Sequence, residues 1–405
     1  MVLAFTIFSL IYSCMSIMLY VSWRHIGTAK GVAKPTSSRH QDKKPRIAHA
    51  LVSNGSNLED EISRDDILIT VVIPVRNEAE NIMQLLLDLN NQVLAPELFE
   101  VIIIDDGSED GTRMLIENTI ATLTYRISVH TVDLEPGYTG SHKKLAITQA
   151  VQRAQGKYIL TTDGDCRVQP GWLATLASFV EINEPACISG PVSFIGGGNL
   201  LQRFQEIEFA ALIGTGAGSL HLGFPNMCNG ANLAFKKDAF AAVGGYAGNE
   251  HIHSGDDEFL MHKIYALYRG SVFFLKDFAY CVHTQAKSTL KDLFYQRRRW
   301  AGKWKMYTDK KIIGFALFIF IYNVLAMATM AMVLAGHYPL WIFIGQIMLK
   351  FAAEFLFLKS VMEFLKKPLP IIHFLITQLV YPFYIFIIGI AANFGYYEWK
   401  GRRIK

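Results

Sequence analysis

The chain has 405 residues, of which 51% are hydrophobic and only 18% are charged. Soluble domains usually carry about 25% charged residues, so this composition excludes disorder as the main state and predicts membrane segments. The net charge of +4, from 39 Lys plus Arg against 35 Asp plus Glu, is too small to indicate nucleic acid as the main partner. The five cysteines show no C-x-x-C spacing, which argues against a disulfide framework and a structural zinc site.

The N-terminal run over 1–23 contains no charged side chain, and about 20 apolar residues are enough to cross a bilayer. No basic stretch precedes the run and no small-residue cleavage site follows it, so we predict a retained membrane anchor rather than a cleaved signal peptide. Six Lys and Arg residues lie between positions 30 and 46, opposed nearby only by Asp42, and predict that this side is cytoplasmic. Residues 24–66 are polar and mixed in composition, and we interpret them as a linker.

Residues 67–311 alternate short apolar runs with longer stretches of helical periodicity. Runs rich in β-branched residues predict strands at 68–74, 99–106, 127–132 and 158–163. The stretches that follow them predict helices at 79–92, 110–123, 142–154 and 171–182. Strands that are apolar throughout and separated by helices predict an α/β domain with a mostly parallel central sheet. Such sheets bind ligands at the carboxyl ends of their strands.

Residues 312–396 are apolar again and predict membrane segments flanking the α/β domain. Two runs in this region, 312–335 and 371–394, are each long enough to cross a bilayer. Residues 397–405 form a basic tail.

The run at 338–359 between these two segments carries Lys350 and Glu354, which lie four residues apart and could pair on one helix face. If the α/β domain is cytoplasmic, three further spans would place the basic tail outside, against the positive-inside bias. Two spans plus an interfacial or re-entrant segment at 338–366 would keep the tail inside. We prefer this second topology.

Polar groups follow three of the predicted strands. The first strand leads into residues 74–78 and is not followed by G-x-G-x-x-G, so the dinucleotide fingerprint is absent. The second ends in Asp105-Asp106-Gly107, and the fourth ends in Asp163-Gly164-Asp165. Each acidic pair alone is also typical of a capped helix or a solvated turn. Carboxylates gathered at one sheet edge, however, need a cation or a hydrogen-bonding ligand, and two hard oxygen ligands suit Mg²⁺ or Mn²⁺ bound with a diphosphate.

Three further segments carry charge or polar groups at helix positions. Lys143 and Lys144 open the helix after the third strand, where a phosphate site and an ordinary surface pair are equally typical. Asp256-Asp257-Glu258 precedes an apolar helix and either complements its dipole or supplies a general base. Residues 296–300, QRRRW, lie in an amphipathic stretch before an apolar span. A positive-inside flank with an interfacial Trp accounts for the arginines but not for Gln296.

In this order, the motifs resemble those of the membrane-bound family 2 glycosyltransferases, which have a nucleotide-sugar domain of GT-A type. The resemblance covers about residues 68–305. Three separated aspartate sites followed by Q-x-x-R-W are typical of cellulose, chitin and hyaluronan synthases and of ceramide glucosyltransferases. The resemblance implies a nucleotide-diphospho-sugar donor, with a UDP-sugar favoured, together with Mg²⁺ or Mn²⁺. It also implies a lipid or glycan acceptor at a membrane.

The resemblance further implies a role for each matching position. The donor would be held by Pro74, Val75, Arg76, Glu78, Asp106, Lys143 and Asp163. Asp163 and Asp165 match the D-x-D metal pair, with Asp165 as the more direct ligand. Asp257 matches the general base of E-D-x-x-L, but Asp256 stands here in place of the usual Glu, so both acids stay candidates. Gln296, Arg299 and Trp300 would shape the acceptor and diphosphate end of the site.

We therefore predict a multi-pass enzyme of the cell membrane, with its catalytic domain facing the cytoplasm, that transfers a sugar with inversion to a lipid-linked or membrane-associated acceptor. One alternative is a processive polysaccharide synthase, which QRRRW favours and the small number of spans disfavours. Another alternative is a transporter or scaffold with an inactive domain. Lys350 and Glu354 favour it, because charged residues in an apolar run are typical of a transport pathway. A transporter would place most of its mass in spans, whereas residues 67–311 lie outside them.

Overall fold

The computed structural model describes residues 2–27, 67–196, 198–394, 397–399 and 402–404. Most of the predicted linker over 24–66 lies outside these described residues, as do three positions of the predicted basic tail. The chain divides into two compact units. One comprises Ile26–Ser193 and Gly223–Gln285, and we call it the α/β unit. The other comprises Met1–His25, Phe194–Leu222 and Ala286–Lys405, and we call it the helical unit.

A seven-stranded sheet forms the centre of the α/β unit. Its strands are β1 (Ile69–Val75), β2 (Phe99–Asp105), β3 (Arg126–Thr131), β4 (Tyr158–Thr161), β6 (Cys187–Ser189), β8 (Leu233–Lys236) and β9 (Val272–Phe274). Their order is β3-β2-β1-β4-β8-β6-β9, and β8 runs antiparallel to both of its neighbours while the other pairs are parallel. The prediction of an α/β fold with a mostly parallel sheet is confirmed. A smaller sheet has the order β5-β10-β7, with β5 at Arg167–Val168, β7 at Val192–Ile195 and β10 at Val282–Gln285.

The two central strands explain why the sheet forms. All seven residues of β2 are buried, and six of the seven in β1 are buried as well. Their register pairs Val71 with Val101 and Ile73 with Ile103. Branched side chains pack well on a pleated surface that helices cover on both faces. The polar residues are therefore displaced to the strand ends, where ligands can reach them.

Among its described residues, the α/β unit contains six α-helices. They are α2 (Ile82–Asn90), α3 (Thr112–Ile120), α4 (His142–Arg153), α5 (Trp172–Asn183), α7 (Lys237–Ala242) and α8 (Glu258–Leu267). The predicted helices at 79–92, 110–123, 142–154 and 171–182 correspond to the first four, and their ends differ from the predicted ones by at most three residues. These helices place their N-termini after the carboxyl ends of β1, β2, β3 and β4.

The helical unit contains α1 (Val2–His25), α6 (Leu200–His221), α9 (Leu290–Gly302), α10 (Lys310–Leu334), α11 (Leu340–Phe364), α12 (Ile371–Ala391) and a hairpin of β11 (Tyr397–Trp399) and β12 (Arg402–Ile404). Among the described residues, four helices are long and apolar enough to cross a membrane, namely α1, α10, α11 and α12. Residues 340–359 of the run at 338–359 are thus part of one continuous helix, α11. The number of true spans and the side of the C-terminus remain predictions.

Helix α6 groups with the apolar helices, although it falls within the predicted domain at 67–311. Two glycines four residues apart allow the close approach. A Cβ on Gly214 would lie 2.6 Å from Val361 Cγ2 of α11, and one on Gly218 would lie 3.2 Å from Leu19 Cδ2 of α1. Small residues at such crossings let helix backbones approach in apolar surroundings. The continuous domain boundary at 67–311 therefore differs from the division by contacts, in which Phe194–Leu222 and Ala286–Lys405 belong to the helical unit.

A polar cluster lies among the apolar helices. Lys350 Nζ is 2.7 Å from Glu354 Oε2, as the four-residue spacing predicts. The Tyr12 hydroxyl of α1 donates to Glu354, and Lys350 donates to Gln378 of α12. A charged pair among apolar helices is stabilised only when its polar atoms find partners. These contacts join α1, α11 and α12, so α1 is packed into the helical unit through specific polar contacts.

Candidate active site

The Arg76 side chain joins the turns that follow β1 and β2 by hydrogen bonds. Its guanidinium donates to the backbone oxygens of Asp106 and of Gly107, the latter at 2.9 Å. Asn77 adopts a φ of 51°, and its N–H donates to Ser108 Oγ at 3.0 Å. Asn tolerates this left-handed conformation better than most residues. The turn at 74–78 and the end of β2 are therefore one rigid edge, as the sequence predicts for the carboxyl ends of parallel strands.

Asp106 lies at this edge and contacts the start of helix α4. Its Oδ1 is 2.7 Å from His142 Nδ1, and the carboxylate is buried. Ser141 caps the helix, because its Oγ accepts from Lys144 N at 3.4 Å. His142 is a site residue that the sequence analysis missed. Its position one residue before Lys143 was the available signal, but a histidine alone carries little weight.

Lys143 links two of the predicted acidic segments. Its Nζ lies 2.8 Å from Asp163 Oδ1 and 3.1 Å from Asp256 Oδ2. Burial disfavours the ammonium, but the charges of these carboxylates outweigh burial and raise the pKa of Lys143 well above its usual value. Burial also opposes ionisation of Asp256, and the Lys143 charge overcomes it and lowers the pKa of that carboxyl. The strand-end aspartate, the lysine and the helix-start aspartate thus form one charged cluster.

The Asp163-Gly164-Asp165 turn packs tightly against the end of β1. A Cβ on Gly164 would lie 2.9 Å from Glu78 Cγ and 3.1 Å from Val75 Cγ1, distances that real side chains avoid. Glycine is therefore required for this close approach. The structure thus brings Glu78 and Val75 beside the predicted metal pair. Burial, assisted by the two aspartate charges, raises the pKa of the adjacent Cys166 thiol well above its usual value, which suits an inert side chain.

Asp257 begins helix α8 and faces the 3₁₀ turn at Gly230–Asn232. Its Oδ2 accepts a hydrogen bond from Gly230 N at 2.9 Å, and its Oδ1 accepts one from Glu258 N at 2.8 Å. Gly230 O in turn accepts from Thr161 Oγ1 of β4 at 2.7 Å. Asp257 is thus oriented by backbone donors, whereas Asp256 is paired with a lysine.

Lys144 is buried rather than exposed on the surface. Its Nζ donates to Asn249 O at 2.7 Å and lies 5.3 Å from the centre of the Phe259 ring. Burial is the main cause that lowers the pKa of Lys144 to about 8. The side chain ties helix α4 to the loop before Asp256. Of the two predicted phosphate-site lysines, Lys143 therefore lies in the charged cluster and Lys144 supports it.

Gln296, Arg299 and Trp300 lie on helix α9 of the helical unit. The buried residue of this segment is Arg297, which the sequence analysis missed, and its guanidinium pairs with Glu208 of α6. Arg299 is half-buried. Glu208 begins the apolar part of α6. A carboxylate in such a stretch is rarely buried without a partner, and this was the signal that could have indicated its role.

The described ranges contain no group of three or more His, Cys, Asp or Glu side chains arranged to hold a metal ion. The Asp163-Gly164-Asp165 turn offers two carboxylates beside a lysine that already neutralises one of them. This donor set has the hard oxygen chemistry that Mg²⁺ and Mn²⁺ prefer. Two carboxylates are fewer than the six ligands of such an ion, so these residues fit a cation that shares its coordination with donor phosphates.

Two family models match the chain. Residues 70–244 match the model described as glycosyl transferase family 2. Residues 158–394, more than half of the chain, match the model described as glycosyl transferase family group 2. Together with the α/β sheet and the acidic cluster at its carboxyl edge, these matches define the class of protein. The chain belongs to the family 2 glycosyl transferases.

Particular relatives agree with this class. The chain is 26% identical over 191 residues to glycosyltransferase AglE of Haloferax volcanii, and 30% identical over 239 residues to poly-beta-1,6-N-acetyl-D-glucosamine synthase of Staphylococcus aureus. These alignments cover 47% and 58% of this chain, and 58% and 53% of the relatives' own lengths. The fold is similar to that of mannosyltransferase PcManGT from Pyrobaculum calidifontis, with a TM-score of 0.51, 16% identity, and coverage of 97% of this chain and 98% of that one.

Proposed function

We propose that this protein is a membrane-associated inverting glycosyltransferase. It transfers a sugar from a nucleotide-diphospho-sugar to a hydroxyl of a lipid-linked or membrane-associated acceptor. The observation that carries the proposal is that Lys143 joins two of the predicted acidic segments, through Asp163 and Asp256, with Asp257 next to Asp256 and with Asp106 bound to the neighbouring His142. Family membership and four helices of membrane-spanning length support it.

The donor end of the site is proposed at the ends of β1, β2 and β4. Arg76 and Glu78 shape the turn that would receive the base, and Asp106, held by His142, would receive the ribose or base. The Lys143 ammonium, which pairs with Asp163, would also contact the diphosphate of the donor. A UDP-sugar is the favoured donor, although PcManGT was solved with GDP-Man and Mn²⁺.

A divalent cation, Mg²⁺ or Mn²⁺, is proposed at Asp163 and Asp165, where its charge would offset the negative charge that develops on the leaving diphosphate. Asp257 accepts the proton of the acceptor hydroxyl as that oxygen attacks the anomeric carbon. The attack comes from the face opposite to the leaving group, so an α-linked donor gives a β-linked product. The charge of Asp256 is already committed to Lys143, which favours Asp257 as the base.

The acceptor end is proposed at Gln296, Arg299 and Trp300, as the family motif implies. Trp300 would stack on an apolar sugar face, and Arg299 would bind phosphate through charge-assisted hydrogen bonds. The basic flank over 30–46 supports a cytoplasmic catalytic domain. Protease access to a C-terminal tag in sealed vesicles tests the preferred topology, in which the tail is protected inside.

The decisive experiment incubates purified protein with a panel of nucleotide sugars and with Mg²⁺, Mn²⁺ or chelator. We expect release of nucleoside diphosphate with one or a few donors, and loss of that release on chelation. The wild-type chain and the Asp165→Asn variant are compared at the same metal concentration. Absence of release with every donor and metal, in protein that binds nucleotide, would contradict the proposed activity.

A processive polysaccharide synthase is the second candidate, and the 30% identity to the staphylococcal synthase favours it. Product length separates the two. Transfer of one or a few sugars is expected from the first proposal, whereas a ladder of long products would support the second. Size analysis of radiolabelled products at a low ratio of acceptor to donor makes this comparison.

A further inference from the structure

Arg297 stands between two residues of the acceptor motif and is held by two other helices. Its Nε lies 3.0 Å from both carboxylate oxygens of Glu208, and its Nη2 lies 2.5 Å from Oε2. The Tyr384 hydroxyl of α12 donates to Glu208 Oε1 at 2.8 Å. Arg297 and Glu208 are 3% and 5% exposed. A planar guanidinium whose Nε and Nη2 both contact one carboxylate is fixed in its plane.

The remaining surfaces of this guanidinium contact the motif itself. Its Cζ lies 4.2 Å from the centre of the Trp300 ring, and its Nη1 donates to Gln296 Oε1. Positions three apart lie on the same helix face, so the stacking follows directly from the helix. Arg297 and the Phe209 ring, whose centre lies 6.0 Å from that of Trp300, together limit the orientations that the Trp300 ring can adopt. Because the Gln296 oxygen is engaged, the amide NH₂ group is directed to other acceptors.

We propose that Arg297 is a positioning residue that orients Gln296 and Trp300 for the acceptor, with Glu208 and Tyr384 fixing its plane. This role rests on the proposed function, because it concerns the acceptor end of that site. It assigns to the middle of the Q-x-x-R-W segment a function distinct from that of Arg299. Arg297 meets the ligand only through the two side chains that it holds.

The test uses full-length protein labelled with 5-fluorotryptophan, in detergent or nanodiscs. The chain has six Trp residues, and the Trp300→Phe variant identifies the ¹⁹F resonance of Trp300. Arg297→Lys keeps the positive charge opposite Glu208 but removes the flat guanidinium, so it preserves the fold. Arg298→Lys is the matched control, because Arg298 is a half-buried neighbour that donates to Phe394 O. Kinetic constants are measured separately for donor and acceptor.

We expect Arg297→Lys to shift the Trp300 resonance and to raise the acceptor KM about tenfold, because the Trp300 ring and the Gln296 amide are then no longer pre-organised for the acceptor. The donor KM should rise less than the acceptor KM, because the proposed base, ribose and metal contacts of the donor lie on other residues. Glu208→Gln should shift the same resonance. An unshifted Trp300 resonance in both variants overturns the proposal, as does an acceptor KM equal to that of Arg298→Lys. If wild-type protein transfers no sugar, the proposed function fails while the resonance still decides whether Arg297 positions Trp300.

Discussion

Replacing Asp257 by Asn changes one oxygen of the proposed base to an NH₂ group. In the wild-type chain, the Asp257 carboxylate accepts hydrogen bonds from Gly230 N and Glu258 N at 2.9 and 2.8 Å. One Asn oxygen can serve only one of these donors, and Asn caps helices well, so we expect the bond to Glu258 N to survive. The NH₂ group would then face Gly230 N–H. Losing a hydrogen bond to a charged acceptor and leaving its donor unpaired costs about 1.5–3 kcal/mol of folding free energy.

The catalytic loss should be larger than the loss of stability. Removal of a general base lowers kcat by about 10²–10⁴-fold, measured as nucleoside diphosphate release at saturating donor and acceptor. Donor affinity should stay within about threefold, because the Lys143 cluster is intact, and thermal shift with donor and Mg²⁺ measures it. Asp256→Asn is the matched comparison, and its kcat should be at least about tenfold higher than that of Asp257→Asn. If Asp257→Asn retains more than a tenth of wild-type kcat, or Asp256→Asn is the more damaged, Asp257 is not the base.

Three further predictions concern packing and charge. Gly164→Ala should destabilise the protein by about 1–3 kcal/mol and weaken metal-dependent donor binding, because its Cβ would lie 2.9 Å from a neighbouring side-chain carbon. Gly198→Ala, with 3.7 Å of clearance, should have no such effect in the same melting and binding assays. The pKa of Lys144 is lowered to about 8 by burial, so between pH 8 and 10 the unfolded chain holds more protons and stability rises with pH. Lys144→Met should flatten this rise in melting temperature, and an unchanged slope would contradict the assignment. Glu354→Gln should lower stability in detergent by about 3–5 kcal/mol because it leaves Lys350 buried without its carboxylate. Lys350→Met combined with Glu354→Leu should recover most of that loss, and a double variant no more stable than the single one would refute the explanation.

The secondary structure of the α/β unit was predictable because its strands are apolar along their whole length. The runs that became β1 and β2 are short, buried and rich in β-branched residues, and their length and composition distinguish them from the longer amphipathic helices beside them. The site at the carboxyl edge was predictable for the same reason. Parallel strands end at one edge, so Asp106 and Asp163 had to lie near each other once the sheet order was known.

The predicted domain boundary at 67–311 follows chain connectivity, whereas the division by contacts does not. Helix α6 lies between two parts of the α/β unit in sequence, yet Gly214 and Gly218 let it pack on apolar helices far away along the chain. Periodicity along one helix does not report which other helix will cover it. Only the packed structure shows that α6 belongs to the helical unit.

The sequence by itself determined the fold class, the candidate membrane helices and the acidic residue types at the strand ends, because these follow from local hydrophobicity and spacing. The tertiary structure decided which groups are paired. Lys143 with Asp256, His142 with Asp106, and Arg297 with Glu208 join residues that lie 36 to 113 positions apart. Such pairings depend on how whole elements pack, since the strength of a charge pair depends on distance and burial rather than on sequence order.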